Sequence, residues 1–271
     1  MKSALRFPQA RHNIPVPIWG VVNQKGGVGK TTTAVNLASG LAMRGKRVLL
    51  VDSDPQGNAT TGLGIDKTES GTTLYDVLAA IAEDPDDRAS VDGAIRETSP
   101  NLHVIPATLD LAGAEPMLLN AVGKETIMRE ALHPLKDRYD WIIIDAPPSL
   151  GLLTINVLCA ADRLVVPMQC EFYALEGLSQ LMKTIDIVRK RLNSSLSIAK
   201  VLFTMYDARN RLSGQVADEV RNYFNGKVAS TVIPRNVRLS EAPGFGEPAI
   251  TLYPSSKGAT AYMAFVDEVL A

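Results

Sequence analysis

An α/β fold, a mostly parallel twisted sheet flanked by helices on both faces, is predicted by three features of this 271-residue chain. Short runs rich in β-branched residues alternate with amphipathic helical stretches. A glycine-rich turn joins the first strand to the first helix, and two later strands end in aspartate. Residues 18–23, Ile-Trp-Gly-Val-Val-Asn, predict a buried first strand. Apolar residues at three- and four-residue spacing over 33–42 predict the helix after it. Further strands are expected at Val48–Asp52, Leu102–Ile105, Trp141–Asp145, 163–167, 199–205 and 229–233, with helices at 123–136, 175–192 and 214–224. The acidic run Glu83-Asp84-Pro85-Asp86-Asp87 predicts a surface loop between helices. No internal repeat, low-complexity tract or linker divides the chain. One domain is therefore expected over residues 15–271, preceded by a short flexible basic arm, residues 1–14, carrying Lys2, Arg6 and Arg11.

Composition narrows the function classes. Hydrophobic residues make up 46% of the chain, enough for a sizeable core, yet no stretch is long and apolar enough to span a bilayer. The basic N-terminus has no apolar segment behind it, so it is not read as a secretory signal. Cys159 and Cys170 form no CxxC pair and are expected to be core thiols in a reducing cytoplasm. With 28 Lys and Arg against 29 Asp and Glu, any nucleic-acid face has to be a local patch. No helix-turn-helix, zinc-ligand set or RNA-binding aromatic motif is present.

The most informative run is residues 25–32, Lys-Gly-Gly-Val-Gly-Lys-Thr-Thr. Glycines allow successive backbone N–H groups to turn toward an anion, and the helix behind them adds its positive N-terminal end. Lys30 is placed to reach β- and γ-phosphates, and the Thr31 hydroxyl to ligate magnesium. Gly26, Gly27, Val28, Gly29 and Thr32 complete the nucleotide-binding loop. Lys25 is not needed to cradle phosphate; it is either an extra cation aimed at the β/γ region, in the manner of an arginine finger, or a solvated surface lysine.

Aspartates follow at two strand ends. In Val51-Asp52-Ser53-Asp54-Pro55-Gln56-Gly57-Asn58, alternation puts Asp52 and Asp54 on one side. Either could orient a water for attack on a γ-phosphate, and either could be a turn or helix-cap residue. Asp145 ends the apolar strand Trp141–Asp145 and is followed by Ala-Pro-Pro-Ser; downstream of a phosphate loop, this is the pattern that holds magnesium.

These motifs, with Asn23-Gln24-Lys25-Gly26-Gly27, Asp54-Pro55-Gln56-Gly57-Asn58 and the run 234–243, Pro-Arg-Asn-Val-Arg-Leu-Ser-Glu-Ala-Pro, closely resemble the ParA/Soj ATPases of chromosome and plasmid partitioning. The resemblance runs from about Ile18 to Ala271. It implies a P-loop NTPase fold of the deviant Walker A, SIMIBI type. Lys25 then matches the signature lysine that reaches the other subunit's nucleotide in an ATP-bound sandwich dimer. Lys30 matches the Walker A lysine, Thr31 the magnesium ligand, Thr32 an α-phosphate contact and Asp145 the Walker B aspartate. Asp54 matches the aspartate needed for hydrolysis, where it positions the attacking water, and it is grouped with Thr31 and Asp145 as a metal-site residue. Gly26 matches a position where a side chain obstructs dimerisation. Pro234, Arg235 and Asn236 fall where the family contacts adenine. The implied cofactors are ATP and Mg2+. The implied partners are a second copy of the chain, non-specific double-stranded DNA and a ParB-type centromere-binding protein, at the nucleoid in the cytoplasm. Arg209, Arg235, Arg238 and Lys257, with Arg211 less central, are the candidate DNA-binding cations.

Four rivals share parts of this pattern. A MinD-like membrane ATPase needs a basic amphipathic C-terminal helix, whereas residues 259–271 carry two acids and no Lys or Arg. An iron–sulfur ATPase needs paired cysteine ligands. A small-molecule ligase needs a defined substrate pocket, and a nucleotide-gated scaffold would bind ATP with little turnover.

Overall fold

The computed structural model describes residues 16–68, 71–171 and 174–271; the predicted basic arm lies outside them. Seven strands form one sheet in the order β3-β4-β2-β5-β1-β6-β7. They are β1 (Ile18–Val21), β2 (Val48–Asp52), β3 (Arg96–Ser99), β4 (Leu102–Ile105), β5 (Trp141–Asp145), β6 (Arg163–Met168) and β7 (Ser197–Phe203). All neighbours pair in parallel except β3, which runs antiparallel to β4 at one edge. The helices are α1 (Lys30–Met43), α2 (Asn58–Gly62), α3 (Leu74–Glu83), α4 (Arg88–Ala94), α5 (Ala114–Leu118), α6 (Ile127–Leu132), α7 (Leu152–Ala160), α8 (Ala174–Arg191), α9 (Arg211–Phe224), α10 (Val237–Glu241), α11 (Ala249–Leu252) and α12 (Lys257–Leu270).

Period-two alternation assigns each strand residue to a face. Leu49 and Val51 of β2 and Ile142 and Ile144 of β5 join a core beneath α3, α6, α7, α8 and α9. Val48, Leu50 and Ile143 join the opposite core, beneath α1 and α12. Because both faces are covered, the central strands are apolar throughout, and each fully buried Ile or Leu contributes about 1.5–3 kcal/mol. The α1–α12 contact depends on Gly40: a Cβ there would meet Val266 Cγ2 at 2.5 Å.

Three expected elements are corrected. The run 229–233 is not a strand, but a segment joined to the sheet through bridges at Val201–Val228 and Tyr206–Pro234. The Ser230 and Thr231 amides donate to the Glu268 carboxylate, at 3.0 Å each, and so are lost to a strand ladder. The helix expected over 123–136 starts only at Ile127, after Gly123 at φ 68°, and tightens into a 3-10 turn from His133, where Pro134 has no N–H to donate. The last strand starts and ends two residues earlier than expected, since Met205 adopts a φ of 49°. Polar β3 was not foreseen: Arg-Glu-Thr-Ser lacks the apolar alternation of a half-buried strand. The acidic run does connect two helices, α3 and α4, and Asp87 caps the second by accepting from the Ser90 amide.

The site is positioned by connectivity. From β1 the chain passes to α1 on one face, and from the adjacent β5 it passes to α7 on the other. The crevice at the carboxyl ends of β1 and β5 is thus a topological switch point, where open α/β sheets bind ligands.

Candidate active site

The turn after β1 occupies this crevice. Gly27 and Gly29 have φ of 71° and 84°, backbone conformations that L side chains rarely adopt. Helix α1 starts directly after Gly29, with no side chain capping its N-terminus and no acidic residue in its first turn. Its first amides are therefore free to meet an anion. Lys30 is buried at 6% exposure, and its Nζ donates to the Lys25 carbonyl at 3.2 Å. Burial lowers its pKa, and the nearby Asp145 and Asp54 offset part of that effect.

Asp145, at the end of β5, is fully buried, and among the described residues neither carboxylate oxygen has a partner within hydrogen-bond geometry. Burial drives its pKa well up and Asp52 adds to this, while the neighbouring Thr31 and Lys30 counteract only in part. Ser53 clamps the ends of β2 and β5 together: its amide and hydroxyl both donate to the Asp145 carbonyl, at 3.0 and 2.7 Å.

The two candidate aspartates of β2 separate here. Asp52 is fully buried and accepts from the Thr60 amide, the Thr60 hydroxyl and the Asp54 amide. It anchors α2 through Thr60, and burial raises its pKa to about 6 despite those donors. Among the described residues the Asp54 carboxylate accepts from the Gln56 amide, at 2.9 Å, and it lies near Lys30. Sequence alternation alone could not tell them apart.

Residues far apart in the chain close the site. Pro234, Arg235 and Asn236 line a cavity of about 280 Å3 together with Gly29, Thr32 and Tyr262. Lys25 Nζ pairs with Glu171 Oε2 at 2.5 Å, in an exposed contact. Among the described residues a Cβ at Gly26 would meet nothing closer than Pro148 Cβ at 3.9 Å, so none of them demands glycine there.

The Tyr206–Pro234 bridge brings the segment of Arg209 beside that of Arg235 and Arg238, while Lys257 stands at the start of α12. Arg209 is 90% exposed and held by both Asp207 oxygens, at 2.9 and 2.8 Å. Arg238 pairs with Glu241 at 2.7 Å and lies over the Tyr253 ring, 4.7 Å from its centroid. Arg235 and Lys257 are exposed and form no ion pair among the described residues; Arg211 is also exposed. Cys159 and Cys170 are buried, with their thiol pKa values pushed up to about 11 by that burial. No helix among the described residues is long and apolar enough to cross a membrane.

Fold and cradle together define a P-loop nucleotide-binding protein with helices on both faces of a mostly parallel sheet. A family model described as an AAA domain matches residues 17–198. The chain is 56% identical to the sporulation initiation inhibitor protein Soj of Bacillus subtilis over 254 residues, 94% of this chain and 98% of that protein. It is 51% identical to the chromosome partitioning protein ParA of Caulobacter vibrioides, covering 94% of each. Among solved structures, a cobyrinic acid a,c-diamide synthase from Mycobacterium smegmatis with bound ATP analogue and magnesium superposes with a TM-score of 0.81, at 38% identity over 94% of each chain. The chain belongs to the Soj/ParA family of chromosome partitioning proteins.

Proposed function

We propose that this protein is a magnesium-dependent ATPase that partitions chromosomal or plasmid DNA at the nucleoid. ATP closes two copies into a sandwich dimer, the dimer holds duplex DNA without base preference, and a ParB-type partner stimulates hydrolysis and release. One observation carries the nucleotide part: the uncapped start of α1, buried Lys30, Asp54 and the unpartnered Asp145 carboxylate converge on one crevice.

Magnesium fits these residues. Asp145 offers two buried oxygens without a partner, and the Thr31 side chain is beside it. Among the described residues no three acidic, His or Cys side chains form a cation site. The remaining ligands would be phosphate oxygens and water, the usual arrangement for this ion. Bound there, it supplies positive charge against the β- and γ-phosphate oxygens. Lys30 holds those phosphates, Thr32 the α-phosphate, and Pro234, Arg235 and Asn236 the adenine. Asp54 orients the attacking water, and Lys25 acts across the dimer, where Gly26 leaves room for approach. Catalysis is then positioning and charge stabilisation.

The DNA face is formed by Arg209, Arg235, Arg238 and Lys257, doubled in the dimer, and its contacts are to phosphate. A membrane role is disfavoured because the apolar face of α12, with Tyr262, Phe265 and Val266, is already packed against α1. Buried thiols disfavour a shared iron–sulfur cluster. The test is binding to non-specific duplex DNA with magnesium and ATP, ADP or no nucleotide, over a salt series. ATP-dependent, salt-sensitive binding is expected; indifference to DNA in every state would overturn the partition reading and favour a ligase on this fold.

A further inference from the structure

The phosphate loop is held from behind by a residue outside its motif. Thr204 follows β7 and is 2% exposed. Its hydroxyl donates to the Val28 carbonyl at 2.7 Å, a contact between residues 176 positions apart. The Thr204 amide donates to the Met168 carbonyl at 2.9 Å, which fixes the backbone carrying that hydroxyl. Its side chain also backs Gly29, where an added Cβ would lie 3.7 Å from Thr204 Cγ2. A second, longer contact runs from Gln169 Nε2, just after β6, to the Gly27 carbonyl at 3.4 Å.

We infer that Thr204 is a positioning residue for nucleotide binding: its hydroxyl fixes the peptide plane between Val28 and Gly29 so that the Gly29 amide faces the phosphates. The reason is covalent geometry. In a planar trans peptide the carbonyl of one residue and the N–H of the next point in opposite directions. Tying the Val28 carbonyl down toward β7 therefore turns the Gly29 N–H to the other side of the plane, into the crevice. The Gln169 contact acts in the same sense on the Gly27–Val28 plane. Glycines at φ of 71° and 84° leave the loop many alternative conformations when unsupported. Preorganisation by a buried donor removes that freedom before ATP arrives. The inference rests on the crevice being a nucleotide site.

Thr204→Val keeps shape but removes the donor, whereas Thr204→Ser keeps the donor and removes a methyl group. Affinity for a fluorescent ATP analogue with magnesium, thermal melting and amide hydrogen exchange at residues 26–30 without nucleotide separate the roles. Expected for Thr204→Val is an affinity loss of about tenfold, as for an unsatisfied buried carbonyl, with faster exchange in the loop. Expected for Thr204→Ser is near-normal affinity and exchange, even where its melting temperature falls further than that of Thr204→Val. Wild-type affinity and exchange in Thr204→Val, or equal affinity loss in both variants, would overturn the inference alone. Failure of the unsubstituted protein to bind the analogue in the same titration would overturn the nucleotide reading and the inference with it.

Discussion

Lys25 Nζ lies 2.5 Å from Glu171 Oε2, so in a single chain the leading lysine of the phosphate loop is held by the segment that follows β6. Both side chains are about half exposed, at 40% and 51%, and pairs of this kind add little to stability. If Lys25 acts across a dimer, this pair has to open first. Glu171→Gln is expected to leave the melting temperature nearly unchanged and to favour ATP-dependent dimerisation by roughly two- to fivefold, the range such a pair supports. Lys25→Ala should still bind nucleotide yet fail to dimerise. Sedimentation with and without ATP checks both; a Lys25→Ala protein that dimerises normally removes the lysine from the interface.

Asp52 and Asp54 differ in what they hold, and their alanine variants should differ in kind. Asp52→Ala deprives Thr60 and the Asp54 amide of their buried acceptor and is expected to cost about 2–3 kcal/mol of folding stability. Asp54→Ala loses one local acceptor for the Gln56 amide; it should fold normally, bind ATP and lose turnover by about a hundredfold or more. Urea unfolding beside single-turnover hydrolysis distinguishes them.

Among the described residues Asp145 has no hydrogen-bond partner for either oxygen, and burial already opposes its charge. Asp145→Asn is therefore expected to leave the nucleotide-free protein at least as stable as the original. The same variant should lose the extra thermal stabilisation that magnesium adds to ATP. Melting curves with ATP plus magnesium and ATP plus chelator give the comparison, and an undiminished magnesium increment would sever Asp145 from the metal.

Arg209 is exposed and, among the described residues, partnered by its neighbour Asp207, whose pKa its hydrogen bonds, with a smaller effect of Arg235, pull down to about 2. Its removal should not disturb the fold. Arg209→Ala is expected to weaken DNA binding and reduce the log–log salt slope by about one unit per arginine lost. Asp207→Asn should strengthen the same binding, because it lifts a neutralising charge. A filter-binding salt series reads both; loss of dimerisation in Arg209→Ala would mean a structural role.

Glu268 ties α12 to β7 and to the segment before Pro234. It accepts from Lys200 Nζ at 2.7 Å and from the Ser230 and Thr231 amides. Burial alone would raise its pKa, but Lys200 and those amides outweigh it, so the folded value lies below the ordinary carboxylate range. A depressed folded pKa means stabilisation that is present above the unfolded value and lost as pH falls through the folded one. Glu268→Gln should thus be less stable than the original at neutral pH, with the gap closing in acid. Urea midpoints from pH 7 downward measure this, and a gap that stays constant in acid would exclude the charge as its source.

Much of this was legible in local sequence. Strands β2, β4 and β5 lie at the expected residues, because apolar β-branched runs bounded by turns have few alternatives between two covered faces. The phosphate loop was legible because its glycines, lysine and threonine act as one short contiguous unit. Failures arose where distant partners compete for backbone groups. Residues 229–233 have strand-like composition, but Glu268 takes two of their amides. Polar β3 forms because β4 offers it an edge, and the turn between them accommodates Asn101 at φ 66°.

By itself the sequence determined the class of fold, the phosphate loop and the family, since each is written in contiguous residues or in spacings of two and three to four. Only the tertiary structure decided that Asp52 is held by Thr60 while Asp54 lies near Lys30, that neither Asp145 oxygen has a hydrogen-bond partner among the described residues, that Glu171 holds Lys25 and that Thr204 backs the loop. These relationships join residues from different strand ends, up to 176 positions apart. Local chemistry cannot encode them, because they exist only once the parallel sheet has brought the carboxyl ends of its strands to one edge.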